Sequence, residues 1–480
     1  MERGNMRAEA QPNLITAMPF VLLLTAIALA PLYFANWWSR HFGKVTLLLA
    51  GLTLGYYMLV LGAQERALHT AADYVSFICL IGALFVISGG IHINVKGEAT
   101  PRLNVLFLLI GALVANLLGT TGASMLLIRP WLRMNKYRLT GHHIVFFIFL
   151  ISNVGGSLTP VGDPPLFLGY LKGVPFWWMI EQCWAIWLIG VGVLLAIFFV
   201  VDTLNFRRAP KVVRERETAH EQWRFEGLGN VVFLAIVLGA VFIEHPLFLR
   251  EAIMIGAAAG SYFSTRKRIH EANHFNFGPI REVAILFAGI FATMMPALDW
   301  LRSHSGGLGS ATPTLFYWGS GALSSVLDNA PTYLSFLSTA YGTLAPTDSI
   351  AGIVAYVNAH GAEFSGLAGG PHAEIICRAI SGLQRYFPKE LLAGKVNSDH
   401  VQMALMLMSP SEVKFLQAIS IGSVFFGANT YIGNGPNFMV KAIADQQKVH
   451  TPTFPGYVFK FTLPIMIPML LIVWWFFFRA

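Results

Sequence analysis

Four polar, glycine-rich stretches interrupt otherwise apolar runs of this sequence, and they carry the side chains that could do chemistry. Two acids lie in these stretches: Asp163, followed by two prolines, and Asp328, followed by Asn329. An acid inside an apolar run is costly to bury and marks a functional site by default. A carboxylate among amide and hydroxyl oxygens can bind a small cation, and it can also take up a proton. The two acids therefore predict a site for Na⁺, H⁺ or both.

The predicted cation- and proton-binding residues all carry a carboxylate, amide or hydroxyl oxygen. The primary set is Asp163, Asp328, Asn153, Ser157, Thr159, Asn329, Thr332, Asn429 and Thr430. A secondary set is Ser152, Thr120, Thr121, Ser124, Asn434 and Asn437. Na⁺ would bind to these same residues, and we predict neither a catalytic residue nor a cofactor. Two structural interpretations stay open: Asp163 is a good N-cap for a half-helix after it, and Asp328 could serve only to shape a hairpin tip.

The elements that position these residues must lie in a lipid bilayer. The chain of 480 residues is 55% hydrophobic and only 12% charged, whereas a soluble domain is about 25% charged. Its apolar residues come in runs of roughly 20, the length that crosses a bilayer core. Non-helical backbone at membrane depth is tolerated only where it is buried in protein or lines a cavity. The predicted fold class is therefore an all-α polytopic membrane protein with about ten transmembrane helices.

The two halves of the chain repeat the same order of plain and interrupted runs. Gly162-Asp163 matches Gly433-Asn434, Gly119-Thr120 matches Asp328-Asn329, and Ser152-Asn153 matches Ala428-Asn429. Interrupted segments in corresponding places of two repeats indicate the binding site of a transporter. The predicted organisation is a first inverted repeat at 1–204 (re-entrant hairpin 103–134, broken helix 141–171), a linker at 205–227, and a second inverted repeat at 228–480 (hairpin 313–340, insert 341–411, broken helix 412–445).

The distribution of positive charge predicts the orientation of the chain. Arginines and lysines collect in the 205–227 linker and in short loops on the same face, which is cytoplasmic by the positive-inside rule. Both termini and the 341–411 insert are then external, in a multi-pass protein of the cell membrane. The net charge of +8 belongs to these loops and does not indicate nucleic acid. The three cysteines show no zinc-site spacing.

The interrupted segments resemble those of the ion-transporter superfamily, which includes NhaD-type sodium/proton antiporters, citrate transporters, arsenite permeases and divalent anion/sodium symporters. The stretch 152–165 is similar to the NhaD-type pattern, the stretch 324–331 is similar to the second-hairpin motif of those antiporters, and 122–130 resembles arsenite permeases. The resemblance implies an elevator-type or rocking transporter, often a homodimer, with ions bound at hairpin tips and broken helices. Gly119-Thr120-Thr121 departs from the acid–Asn pair that NhaD-type antiporters tend to have there.

These observations predict a secondary active transporter that exchanges a cation for protons, with Na⁺/H⁺ antiport as the first hypothesis. The alternative is a transporter of citrate or another carboxylate coupled to Na⁺ or H⁺, because half-helix N-termini with Asn, Ser and Thr donors can hold an anion. A third hypothesis is a membrane-embedded enzyme or sensor whose insert carries the function. No His, Cys and Asp constellation in the sequence supports that third hypothesis.

Overall fold

The computed structural model describes residues 12–94, 99–208, 224–243, 246–304, 311–344, 347–361 and 373–479. Regular structure in these ranges is almost entirely helical. Two short strands, β1 (His92–Asn94) and β2 (Arg224–Glu226), pair antiparallel and join the residues after the third helix to the end of the charged linker.

The first half of the chain packs plain helices around a kinked helix and a broken one. Its helices are α1 (Met18–Tyr33), α2 (Ala35–Gly55), α3 (Gln64–Gly89), α4 (Pro101–Met134), α5 (Gly141–Leu150), α6 (Pro164–Leu171) and α7 (Trp178–Arg208). Short 3-10 turns at Leu14–Ala17 and Val154–Gly156 precede α1 and follow α5, and a π turn at Tyr56–Val60 extends α2.

The second half repeats the kinked and broken segments and adds small helices between them. The helices are α8 (Asn230–Ala240), α9 (Leu249–Ser264), α10 (Lys267–Ala272), α11 (Gly278–His304), α12 (Pro313–Ser324), α13 (Asn329–Leu344), α14 (Thr347–His360), α15 (Ala373–Tyr386), α16 (Pro388–Leu392), α17 (Ser398–Leu407), α18 (Pro410–Phe425), α19 (Gly435–Gln446) and α20 (Phe454–Phe478). A 3-10 turn at Phe426–Asn429 follows α18, and α20 contains π turns.

Seven helices in the described ranges are long and apolar enough to cross a membrane. Large apolar side chains cover their outer faces; Leu59 and Phe459, for example, are 87% and 69% exposed. Such exposure is unfavourable in water and fits contact with lipid tails. The prediction of an all-α polytopic membrane protein is confirmed. The count of ten crossings and the inverted orientation of the two halves stay predictions.

Helix α4 is folded into a hairpin. Its backbone turns at Gly119, whose φ of 73° lies in the region that glycine adopts at little cost. The two arms meet at their far ends, where Asn104 Nδ2 donates to Asn135 Oδ1 at 2.8 Å. Between the ends, a Cβ on Gly111 would stand 2.3 Å from Ile151 Cδ1, which follows α5, and 3.2 Å from Leu127 Cδ1 on the other arm. The missing side chain at Gly111 therefore makes room chiefly for Ile151 of the first broken span, and also for the opposite arm.

Helices α12 and α13 form a second hairpin around a short turn. Phe316 and Phe336 pack edge to face across its arms, with ring centroids 5.7 Å apart. The turn ends at Asp328, whose Oδ1 accepts from Ala330 N at 3.1 Å and so caps the start of α13. This capping bond explains why α13 begins beside the turn rather than further along the chain.

Two close backbone approaches shape the broken spans, which are α5–α6 and α18–α19. A Cβ on Gly162 would stand 2.0 Å from the Gly156 carbonyl oxygen. In the second span, a Cβ on Gly433 would stand 2.6 Å from the Gly427 carbonyl oxygen. Both contacts exclude any side chain, so glycine is required at equivalent points of the two breaks.

The insert between the second hairpin and the second broken span folds into the helices α14 to α17. Helix α17 packs against α13, α15 and α18. Its residue Asp399 forms an ion pair with Arg302 at the end of α11, with 2.9 Å between Oδ1 and Nη2. The insert thus rests on the second hairpin and on α11. Its position outside the membrane stays a prediction.

Candidate functional site

Two threonines fix the broken spans with the same pair of hydrogen bonds. Thr159 Oγ1 donates to the Asn116 carbonyl at 2.6 Å and accepts from Gly162 N at 3.1 Å. Thr430 Oγ1 donates to the Ser325 carbonyl at 2.6 Å and accepts from Gly433 N at 3.0 Å. Each hydroxyl therefore ties a broken span to the tip of the hairpin in its own half.

This equivalence corrects one part of the repeat inferred from sequence. Counting back from the equivalent threonines, Asn153 corresponds to Val424, and Asn429 corresponds to Leu158. The match of Ser152-Asn153 with Ala428-Asn429 was therefore wrong by five residues. Short polar pairs occur at several points of each break, so the sequence alone did not determine the register there.

Asp163 lies where the two halves meet and is only 1% exposed. Its Oδ1 accepts from Thr120 Oγ1 at 2.7 Å and from Asn434 Nδ2 at 3.3 Å. Its Oδ2 accepts from Asn329 Nδ2 at 2.8 Å. One carboxylate thus joins both hairpin tips and the second broken span. Among the residues that the structure describes, no Lys, Arg or His side chain bonds to it.

Helix capping does not account for Asp163. The residue occupies the N-cap position of α6, yet its side chain makes no capping hydrogen bond to the helix backbone. Its carboxylate instead accepts from three neutral side chains on other elements. The simpler structural interpretation left open by the sequence is therefore not supported.

Three asparagines form a chain of hydrogen bonds beside Asp163. Asn434 Nδ2 lies 3.1 Å from Asn153 Oδ1, and Asn153 Nδ2 donates to Asn437 Oδ1 at 2.7 Å. Asn437 Nδ2 in turn donates to the carbonyls of Gly427 and Thr430, at 2.8 and 2.9 Å. The chain runs from one half of the protein to the other and satisfies carbonyls that the broken helix α18 leaves open.

Asn429 presents an acceptor that has no partner. Its Nδ2 donates to Ser325 Oγ at 2.9 Å, at the tip of the second hairpin. Its Oδ1 is buried and has no hydrogen-bond partner among the described residues. A buried acceptor of this kind costs free energy unless a donor or a cation compensates for it.

Asp328 has a different environment from Asp163. It is half-buried, caps α13, and lines a cleft that Asn434 also lines. Its backbone carbonyl accepts from Thr332 Oγ1 at 3.1 Å. Thr332 is buried within the first turns of α13, and its hydroxyl donates to that carbonyl rather than to Asp163. The structure therefore joins Asn329, but not Thr332, to the central carboxylate.

The remaining predicted residues lie around the first break. Ser124 and Ser152 hydroxyls are 2.8 Å apart and link the first hairpin to the broken span. Ser157 Oγ donates to the Val154 carbonyl at 3.0 Å, so it serves the local turn. Thr121 lines the cleft next to Asp163. These four side chains support the site without bonding to its carboxylate.

A cleft separates the hairpin tips from helices α3 and α11. One cavity, with about 420 Å³ of empty space partly open to solvent, is lined by Asp328, Asn434 and Phe85. A second, of about 330 Å³, is lined by Thr120 and Asp163. The two share lining residues on α3 and around α6, so they are parts of one cleft. Asp163 therefore lies against this cleft, while its side chain stays buried.

Comparison with known proteins places this arrangement in a family. Residues 9–478 match the family model CitMHS_2, whose description is putative citrate transport. The chain belongs to the CitMHS_2 family. It is also similar to a 46 kDa membrane protein of Mycobacterium leprae, with 27% identity over 312 residues, which cover 60% of this chain and 71% of that protein. The predicted resemblance to citrate-transporter-like proteins is confirmed, and the chain is a multi-pass membrane transporter.

This CitMHS_2 member also contains a buried ionic cluster that sequence reasoning missed. Asp202, fully buried near the end of α7, accepts from Arg138 through both guanidinium Nη atoms, with 2.9 Å between Nη2 and Oδ2. His143 Nε2 and Asn104 Nδ2 also lie 3.1 and 2.9 Å from its oxygens, and His142 Nε2 lies 3.3 Å away. Asp202 with the two histidines has metal-ligand spacing, but Arg138 already neutralises the carboxylate. We therefore interpret the cluster as a structural tie between α4, α5 and α7.

Asn116 is a second residue of this transporter that the sequence did not single out. Its Nδ2 donates to the Gly155 carbonyl at 2.7 Å, and its Oδ1 accepts from Leu158 N at 2.8 Å. One amide thus satisfies two backbone groups of the first break. The repeat contained a signal for this residue. Gly119 matches Asp328, so Asn116, three residues before Gly119, matches Ser325, three residues before Asp328.

Proposed function

We propose that the chain is a cation-coupled secondary active transporter whose ion site is Asp163, and that Na⁺/H⁺ antiport is the activity best supported by its geometry. The observation that carries the proposal is a buried carboxylate whose hydrogen-bond donors, among the described residues, are all neutral. A buried charge without a partner is strongly unfavourable. Asp163 must therefore hold a proton or have a bound cation, and competition between the two for one carboxylate produces exchange.

The side chains around Asp163 suit Na⁺, a hard cation that prefers oxygen ligands. Asp163 supplies two carboxylate oxygens and Thr120 a hydroxyl beside them. Asn429, which is bound to Ser325 at the tip of the second hairpin, offers a further amide oxygen that is buried and has no partner in the described residues. The 3-10 turns of both breaks add backbone carbonyls, which serve the same role in discontinuous helices. Na⁺ and H⁺ would be transported or coupling ions, and no other cofactor is proposed.

The cleft beside the hairpin tips would give ions access to this site. Movement of the hairpins and broken spans against α3 and α11, by an elevator or rocking motion, would open the site to each side in turn. We also propose a homodimer in the cell membrane, with external termini and the 205–227 linker in the cytoplasm. These proposals follow from the resemblance and from the positive charges of the loops.

Exchange in liposomes tests the proposed function. The protein is reconstituted with an internal pH dye and an inside-acid gradient, and Na⁺, Li⁺ or K⁺ is added outside. Na⁺- or Li⁺-dependent alkalinisation is expected from the unmodified protein and should disappear in Asp163→Asn. Asp445→Asn is the matched control, because Asp445 is an exposed acid paired with Lys441, with 2.5 Å between Oδ2 and Nζ. Exchange at the unmodified rate in Asp163→Asn would remove Asp163 from the mechanism.

The second candidate is transport of citrate or a related carboxylate, coupled to Na⁺ or H⁺ at the same aspartate. The family description supports it. A second support is that three helix N-termini converge: α6 begins just after Asp163, α13 begins at Asn329, and α19 begins just after Asn434. Helix N-termini favour anions. Citrate-dependent Na⁺ or proton uptake is expected for this candidate, whereas antiport in the complete absence of organic anions supports the first.

A further inference from the structure

Arg129, on the second arm of the first hairpin, differs from the other buried or half-buried arginines described above. It is half-buried and lines a third cavity of about 280 Å³, together with Phe85, Ser88 and Asn273. Arg138 is bound to Asp202, and Arg302 is bound to Asp399. Arg129 has neither an ion pair nor a hydrogen bond to any residue in the described ranges.

The neighbours of Arg129 cannot neutralise it. Asn273 Nδ2 already donates to the carbonyls of Gly89 and Ile91, at 2.9 and 2.8 Å, and its Oδ1 lies 2.8 Å from His92 Nδ1. Ser88 Oγ donates to the Phe85 carbonyl at 3.0 Å. These bonds fix the wall of the cavity and, among the residues that the structure describes, leave the guanidinium without an acceptor. An unpaired guanidinium in a half-enclosed cavity is matched by a planar anion, which it binds through two parallel hydrogen bonds.

The cavity adjoins the cleft of the proposed ion site. Phe85 lines both this cavity and the one that contains Asp328 and Asn434. Arg129 lies towards the end of α4 that carries Arg133, which the positive charges predict to be cytoplasmic. An anion bound at Arg129 would therefore stand on the cytoplasmic part of the route to Asp163.

We propose that Arg129 binds a carboxylate group of a transported di- or tricarboxylate at the cytoplasmic end of this cleft. The inference rests on the second candidate function, carboxylate transport, and names the residue that recognises the anion. Asp163 supplies the cation or proton site, while Arg129 supplies the positive charge that the centre of the protein lacks.

Equilibrium binding of radiolabelled citrate and succinate to the purified full chain, at fixed ionic strength, tests this assignment. Arg129→Gln removes the charge, Arg129→Lys keeps it without the planar donor pair, and Arg133→Gln is the control. Arg133 is a suitable control because it lies one helical turn further on and donates to Asn94 instead of facing the cavity. Thermal unfolding with and without Na⁺ reports in parallel on folding and on the ion site.

The expected result is a loss of citrate affinity of roughly 10- to 100-fold in Arg129→Gln, the size of a lost charge-assisted hydrogen bond. Arg129→Lys should retain part of the affinity, and Arg133→Gln should bind citrate like the unmodified protein. The effect of Na⁺ on the temperature of thermal unfolding should be preserved in all three variants. Equal citrate affinity in Arg129→Gln and the unmodified protein would overturn the role of Arg129 while leaving carboxylate transport intact. No carboxylate binding to an unmodified protein that still responds to Na⁺ would overturn both.

Discussion

Removing the charge of Asp202 should destabilise the protein far more than removing an exposed acid. Asp202 is fully buried, and the Arg138 side chain paired with it is only 2% exposed. In Asp202→Asn the guanidinium loses its anion, and the new amide group faces the donors of Arg138, His143 and Asn104. Breaking a buried ion pair from one side costs about 3–5 kcal/mol, because the other charge stays buried and uncompensated.

The free energy of unfolding can be measured by SDS titration in mixed micelles, followed by tryptophan fluorescence. Asp202→Asn should lower it by about 3–5 kcal/mol, whereas Asp445→Asn should change it by at most about 1 kcal/mol, because its ion pair with Lys441 is exposed. The double variant Asp202→Asn, Arg138→Gln should recover part of the loss, since it leaves no buried charge unpaired. A loss below about 1 kcal/mol in Asp202→Asn would refute the interpretation of the cluster as a structural tie.

Three further predictions concern the site and the insert. Asn329→Ala should weaken the Na⁺ dependence of exchange by about tenfold or more, measured in liposomes, because a buried carboxylate loses a donor. Gly162→Ala should abolish folded protein on size-exclusion chromatography, since its Cβ would meet a carbonyl oxygen at 2.0 Å, whereas Gly192→Ala, with open space around it, should behave normally. Burial disfavours the charged form of Asp399, but Arg302 and nearby cations hold its pKa below the ordinary value. Its stabilising effect should therefore be full above about pH 4 and be lost as the pH falls further, so melting temperatures of Asp399→Asn and the unmodified protein should converge in acid.

The sequence predicted the elements of this site better than their contacts. Asp163 was identifiable because few acids interrupt the apolar runs, and Gly119 because glycine marks a sharp change of direction. The bond from Asn329 to Asp163 was not predictable, because the two residues are 166 positions apart and belong to different halves. Arg138 and Asp202 lie in the same half, but they are 64 positions apart, so their pairing was not predictable either.

The wrong register of the repeat and the separate position of Thr332 have a different origin, and ion binding by Thr332 stays a prediction. Asn153 and Asn429 were matched because each follows a small residue inside a break. The register of the two breaks is instead set by their backbone turns, which Thr159 and Thr430 fix. Thr332 was included with Asn329 because both follow Asp328 in sequence. A helix begins there, so successive side chains point in different directions, and only Asn329 reaches the central carboxylate.

The position of Asp163 gives a physical route from ion occupancy to conformational change. Its two oxygens hold Thr120 on one hairpin, Asn329 on the other, and Asn434 on the second broken span. A proton on the carboxyl group would turn one acceptor into a donor, and a bound cation would compete with the hydroxyl and amide hydrogens for the same lone pairs. Either event changes which of the three elements the carboxylate can hold. A ligand shifts a conformational equilibrium only through such differential contacts. The proposed ion site and the contact between the two halves are therefore the same group of atoms, which is the arrangement that the proposed coupling requires.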